Sequence, residues 1–276
     1  MDPTVRRGEL VALLGTNGAG KTTTMETIEG HRAADGGRVS VLGHDPWKDR
    51  DRIRPHVGIM LQSSGFAGEL TVAETAKLWT TLRSRAGDYE GALERLDLAH
   101  RRDVQVKQLS GGEQRRLDMA IALLGDPDVL FLDEPSTGLD PQSRRRTWDV
   151  IADLVQNGTA VLLTTHYMEE AEKLADRIAI LDGGRIAVDG TMAELVAGLK
   201  ATISFVLPEA NGPAPALPRL AGSVEQARGG VTVVTTDELQ RDLAVLLDWA
   251  ERCGLRLGRL QATEGRLDDV FAGVQA

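Results

Sequence analysis

Apolar positions along the chain fall into two rhythms. Short continuous runs at Glu9–Leu14 (ELVALL), from Val57 in HVGIMLQ, at Val129–Glu134 (VLFLDE) and at Ala160–His166 (AVLLTTH) predict strands buried on both faces, as in a parallel sheet. The last two end in polar residues, where open α/β sheets gather their ligands. Arg38–Gly43 (RVSVLG) alternates and predicts another strand. Arg177–Gly190 predicts a hairpin turning at Asp182-Gly183-Gly184. Helical rhythm runs from Lys21 to near Gly30. Thr71 with Glu74 has the spacing of a capping box and opens a helix through Leu78 and Leu82; Tyr89–Leu98 predicts a second. Ser110 with Glu113 opens a third through Leu117, Ala120, Ile121 and Leu124, and Thr191 with Glu194 a fourth ending near Leu199.

Residues from about 66 to 125 are therefore helical without a strand, an insertion into an α/β body. Beyond Lys200 the texture changes. ISFVL and VTVVT read as strands around a loop with Pro208, Pro213, Pro215 and Pro218. A helix over Glu238–Cys253 aligns Leu239, Leu243, Leu246, Leu247 and Ala250 on one face, with Gly254 as its stop. LRLGRLQ reads as a last strand and LDDVFAGV as a last helix. Two domains are expected, residues 1–199 and 200–276, the second a small α/β accessory domain.

Composition narrows the picture. The net charge of −9 argues against general nucleic-acid binding, which needs a cationic face. The single cysteine, Cys253, rules out an internal disulfide. No apolar run reaches the roughly 18 residues of a spanning helix, and the sequence begins with no secretory leader, so any membrane contact is expected through a partner.

The chemistry concentrates in three places. Gly15, Thr16, Asn17, Gly18, Ala19, Gly20, Lys21 and Thr22 fit G-x-x-x-x-G-K-[ST], with Thr23 following, between an apolar strand and a helix. Such a loop turns its N–H groups inward around a phosphate, the helix presents its positive end, Lys21 adds a point charge, and the Thr22 hydroxyl suits Mg²⁺. Asp133 and Glu134 end a buried strand; the first is placed to hold that metal and the second to deprotonate water. In Leu109-Ser-Gly-Gly-Glu-Gln-Arg-Arg116, Gly111 and Gly112 weaken a helix start that Ser110 caps. They make sense where a ligand must approach the backbone.

Together with Gln62 at a strand end, the Ser136–Asp140 turn and His166, these motifs resemble the ATP-binding cassette (ABC) ATPases from about Val5 to Leu199. The resemblance implies an α/β P-loop NTPase fold: a RecA-like core, an antiparallel β subdomain and an α-helical subdomain at about 66–125. It implies a head-to-tail pair of cassettes, homodimeric or mixed, each ATP lying between one phosphate loop and the Ser110, Gly111, Gly112 and Glu113 segment of the other chain. It further implies Glu134 as general base, Asp133, Thr22 and Gln62 around Mg²⁺, His166 on the γ-phosphate, and Asp140 in a loop touching the opposite subunit. The tail resembles that of cassettes serving ABC-2 exporters of drugs, lipids or other hydrophobic compounds, which implies a separate membrane permease and a place on the inner face of the cell membrane.

The family carries two strands ahead of the phosphate-loop strand and an aromatic residue there that stacks on adenine. Pro3 interrupts that region here, and no Phe, Tyr or Trp precedes Gly15. The expectation is a natural chain that starts earlier; a truly short chain is the alternative, expected to bind nucleotide weakly and with little base preference. Two other functions fit the sequence less well: a non-transport cassette acting on DNA or ribosomes, disfavoured by the single phosphate loop and acidic charge, and a catalytically dead module, disfavoured by intact Lys21, Asp133, Glu134 and His166.

Overall fold

Five apolar runs lie side by side in one sheet because each satisfies its backbone only through its neighbours. They are β1 (Leu10–Gly15), β2 (Val57–Met60), β3 (Val129–Asp133), β4 (Ala160–Thr164) and β5 (Arg177–Asp182), joined by an edge strand β6 (Arg185–Gly190). The order is β2-β3-β4-β1-β5-β6; the first five are parallel and β6 returns antiparallel to β5. This computed structural model describes residues 3–61, 65–83, 85, 87–208, 215–227 and 229–274. It divides into two units, Met1–Met192 and Ala193–Ala276.

In the first unit both faces of the sheet are covered. Leu10, Leu14, Leu130, Leu132, Val161 and Leu163 are fully buried, and Val11, Leu13, Met25, Phe131 and Leu162 fill a core with α1 (Lys21–Ile28). The short α2 (Arg50–Ile53) adds Ile53 to that core. The helical segment comprises α3 (Val72–Leu82), α4 (Tyr89–Arg95) and α5 (Gly111–Ala122), and α5 packs on β2. Capping boxes form at Thr71/Glu74 and Ser110/Glu113. Helices α6 (Pro141–Gln156) and α7 (Met168–Leu174) complete the unit.

Two sequence expectations need correction. Arg38–Gly43 is not a strand: Val41 and His44 exchange both N–H···O bonds, at 2.8 and 3.0 Å, around Leu42 and Gly43, whose φ values are +52° and +84°. The chain reverses there in a tight turn, and no described strand pairs with the alternating residues. Helix α4 stops at Arg95 rather than Leu98, because Asp97 takes φ +55° and the Leu98 N–H closes back on the Leu93 carbonyl at 2.8 Å. Asp97 also joins Arg116 of α5 at 3.4 Å and Arg146 of α6.

The second unit holds most of α8 (Met192–Val196) and an antiparallel sheet of β7 (Ala201–Val206), β8 (Ser223–Gln226), β9 (Val231–Thr236) and β10 (Gly258–Thr263), ordered β10-β7-β9-β8. Helix α9 (Leu239–Arg252) closes one face over Ile203, Phe205 and Val234, and α10 (Leu267–Val274) follows. Pro213 lies outside the described residues. No helix of the described residues is long and apolar enough to cross a membrane.

At the end of α1 the Glu29 side chain is almost wholly enclosed, 2% exposed, beside His31 at 3.2 Å. Burial, then the charges of Asp133 and Glu26, push its carboxyl from 4.5 up to about 7. The folded state therefore holds this proton more tightly than the unfolded chain, so stability falls as pH rises from about 4.5 to about 7, by about 3 kcal/mol in all, and levels above. Glu29→Gln should flatten that slope and raise the melting temperature at pH 8 while leaving it unchanged at pH 4.5, as read by thermal unfolding across the range.

Candidate active site

The loop from Gly15 to Lys21 joins β1 to α1. Gly15 must lack a side chain, since a Cβ there would lie 2.7 Å from the Leu181 carbonyl of β5. Gly20, directly before the helix, takes φ +104°. The Ala19 carbonyl accepts the Gly184 N–H at 3.0 Å, pinning the loop to the β5–β6 turn. No side chain caps α1, so its first N–H groups and its dipole face the hollow of the loop. Thr16, Asn17 and Gly18 are exposed at the loop crest and Ala19 is buried beneath. The Lys21 ammonium lies on the Gly15 and Thr16 carbonyls at 2.6 and 3.1 Å. Thr22 and Thr23 stand exposed on the first helical turn.

Asp133 ends β3 level with Thr164 of β4, which is level with Leu13 of β1. Asp133 is thus two strand spacings, about 10 Å, from the strand that feeds the phosphate loop. The buried Thr164 hydroxyl donates to Asp133 Oδ1. Thr22 and Asp133 supply hard oxygen donors, and among the described residues no three His, Cys, Asp or Glu side chains gather. Such a donor set fits a Mg²⁺ ion that takes its remaining ligands from phosphate and water.

Glu134 holds φ +51°, a strained value for a residue with a side chain. Backbone bonds hold it and side-chain contacts aim the carboxylate. Its N–H donates to the Thr164 carbonyl at 3.0 Å; its carbonyl accepts from Arg115 at 2.8 Å; Oε2 accepts from the Thr137 hydroxyl at 3.2 Å; and Oε1 lies 3.3 Å from His166 Nδ1. His166 stands half exposed just after β4. The Glu134 carboxylate thus sits between Thr137 and His166, one residue past Asp133.

Gln62 lies outside the described residues. The preceding Leu61 carbonyl accepts from Arg115 at 2.6 Å.

The segment at the start of α5 stands apart from this cluster. The Ser110 hydroxyl accepts the Glu113 N–H at 3.3 Å, and Ser110 and Gly111 are exposed. A Cβ on Gly111 would meet nothing within 4 Å, so this chain's own packing does not require glycine there. Gly112 lies near Leu139 and Gly138. Glu113 faces inward: its carboxylate accepts from the Ser110 N–H at 2.8 Å, the Ser110 hydroxyl at 3.0 Å and Arg101 at 2.6 Å. Burial opposes its charge, but those bonds hold its carboxyl below the usual range. Glu113 and Ser110 are thus bonded to one another within the chain, though Ser110 and Gly111 remain exposed. Asp140 caps α6, accepting from the Gln142 and Ser143 N–H groups at 2.9 and 3.0 Å, and its bonds to Ser143 keep its carboxyl low.

Sequence reasoning assigned no role to Thr164, Thr137 or Arg115. The last left a trace, since Arg115 and Asp118 are two charges three residues apart on an otherwise apolar helix face.

The model of the ABC transporter family matches residues 1–137, and that of the C-terminal domain of ABC transporter domain-containing proteins matches 201–265. A daunorubicin resistance ATP-binding protein of Streptomyces coeruleorubidus is 40% identical over 98% of this chain and 88% of its own length. A Nod factor export ATP-binding protein of Ralstonia nicotianae is 40% identical over 70% of this chain; the chain spans 61% of that relative. Among solved structures, the ATP-binding subunit of an ABC transporter superposes with TM-score 0.66 at 28% identity, covering 71% of this chain and 83% of its own. A dimeric ATP-binding cassette holding ADP and phosphate shares the fold, with TM-score 0.62 at 24% identity over 68% and 88%.

The Thr164 hydroxyl is buried against a carboxylate. Thr164→Val should therefore destabilise the first unit by about 2 kcal/mol and lower its melting temperature by about 5 °C, measured by thermal unfolding.

Proposed function

Given that this chain belongs to the ABC transporter ATP-binding proteins, we propose that it hydrolyses ATP at the interface of two cassettes to drive export through a separate membrane permease. The observation that carries the reading is Glu134, its backbone bonded by Thr164 and Arg115 and its carboxylate by Thr137 and His166, beside Asp133 at the same sheet edge as the phosphate loop.

The chain's own residues divide the work. The loop N–H groups and the α1 dipole bind the β- and γ-phosphates, with Lys21 turning from the Gly15 and Thr16 carbonyls to the anion. Thr22 and Asp133 hold Mg²⁺, with Gln62 as a further ligand of metal or water; the ion, when bound, neutralises charge on the transferring phosphoryl group. Glu134 orients a water in line with the γ-phosphorus and takes its proton as the bond to ADP breaks. His166, with Nδ1 toward Glu134, offers Nε2 to the γ-phosphate.

Pairing is supported by Gly111. A glycine that its own chain does not need is explained by an ATP of the opposing cassette lying against the helix start, with Ser110 and Gly112 beside it. Asp140, fixed as a helix cap, would present the Ser136–Asp140 turn to that partner. Exposed Leu61, Leu78, Trp79 and Leu82 support a permease contact next to Gln62 and on α3. The names of the relatives, one for daunorubicin resistance and one for Nod factor export, support drugs or other hydrophobic compounds as the expected cargo; the cassette is expected on the cytoplasmic side of the membrane, held there by the permease.

Glu134→Gln should cut ATPase turnover by about 10³-fold, leaving a residual rate measurable in single-turnover assays, while still binding ATP, and should trap a nucleotide-dependent dimer in light scattering. A wild-type level of turnover in that variant would overturn the reading. Gly111→Ala should leave the melting temperature equal or slightly higher, since alanine favours the helix by up to about 1 kcal/mol. It should nonetheless cut turnover and dimer formation.

A further inference from the structure

Arg115 leaves α5 five residues after Ser110 and ends among three backbone carbonyls. One terminal nitrogen reaches the Leu61 oxygen at 2.6 Å; the other serves the Asp133 and Glu134 oxygens, the latter at 2.8 Å. The side chain is 9% exposed, with the Asp118 carboxylate 3.9 Å away, and Asp133, Glu134 and Glu170 add favourable charge. Burial outweighs them and holds the guanidinium below its usual range, the carboxylates offsetting that cost only in part. The carbonyls belong to the residue before Gln62, the metal-holding aspartate and the strained Glu134. We propose that Arg115 is a positioning residue that sets the Glu134 backbone from the body of α5.

The geometry demands a guanidinium. Its planar fork sends donors in divergent directions, whereas an ammonium is a point charge that cannot span carbonyls on two separate segments. Because the Glu134 conformation is held from its carbonyl side by this group, movement of α5 is felt at the catalytic carboxylate. The inference rests on the hydrolytic reading above.

The test is ATPase kinetics on the full chain bearing Arg115→Lys or Arg115→Gln, each alone and combined with Glu134→Gln. Expected are a kcat about 30- to 100-fold lower, the scale of a misplaced catalytic group, and a KM for ATP within about threefold of wild type. In the Glu134→Gln background the Arg115 change should cost no further turnover, because the residue acts through that carboxylate. A merely structural arginine would give additive losses. Arg115 variants with kcat within about threefold of wild type, or losses that add to Glu134→Gln, overturn the inference while the hydrolytic reading stands. Wild-type turnover insensitive to Glu134→Gln overturns both.

Discussion

Parallel pairing of β3, β4 and β1 is the constraint on which the site depends. Parallel strands in register deliver their carboxyl ends to one edge, so the phosphate loop, Asp133 and the turn into His166 emerge together although the chain separates them by more than a hundred residues. Thr164 stands between the two chemistries. It spends its hydroxyl on Asp133 and its carbonyl on Glu134, so one residue of the middle strand sets both carboxylates.

Around that edge the site is built from local devices of different strength. The phosphate cradle is rigid for steric reasons, since Gly15 has a neighbouring carbonyl where a side chain would go. The Glu134 conformation is strained and persists because contacts from β4, α5 and the following turn over-determine it. The exposed start of α5 lies outside these contacts, and its Gly111 meets nothing of its own chain.

Much of this was legible in the residues. Continuous apolar runs announced the buried strands, and the two capping boxes located α3 and α5 because their side-chain chemistry is local. The glycine-lysine loop and Asp133-Glu134 stood out by their spacing, and parallel pairing brings them to one sheet edge. What failed had physical causes. The alternation at Arg38–Gly43 was overridden by a tight turn at Leu42-Gly43, because alternation cannot report whether a partner strand exists. β8 carries a single apolar residue, the exposed Val224, and among the described residues pairs only with β9, so it left no hydrophobic rhythm. Arg115 and Thr164 act on carbonyls and carboxylates distant in sequence, and only the folded chain shows those partners.

Asp97 has a mechanical corollary. Its carboxylate touches Arg116 on the helix that Ser110 caps and Arg146 on the helix that Asp140 caps. With half of the acid open to solvent the bond is soft and salt-screened, a tether rather than a weld. Any swing of the helical insertion must therefore either drag the neighbouring helix along or slip this knot. The ionic strength of the surrounding medium would tip the balance between those two outcomes.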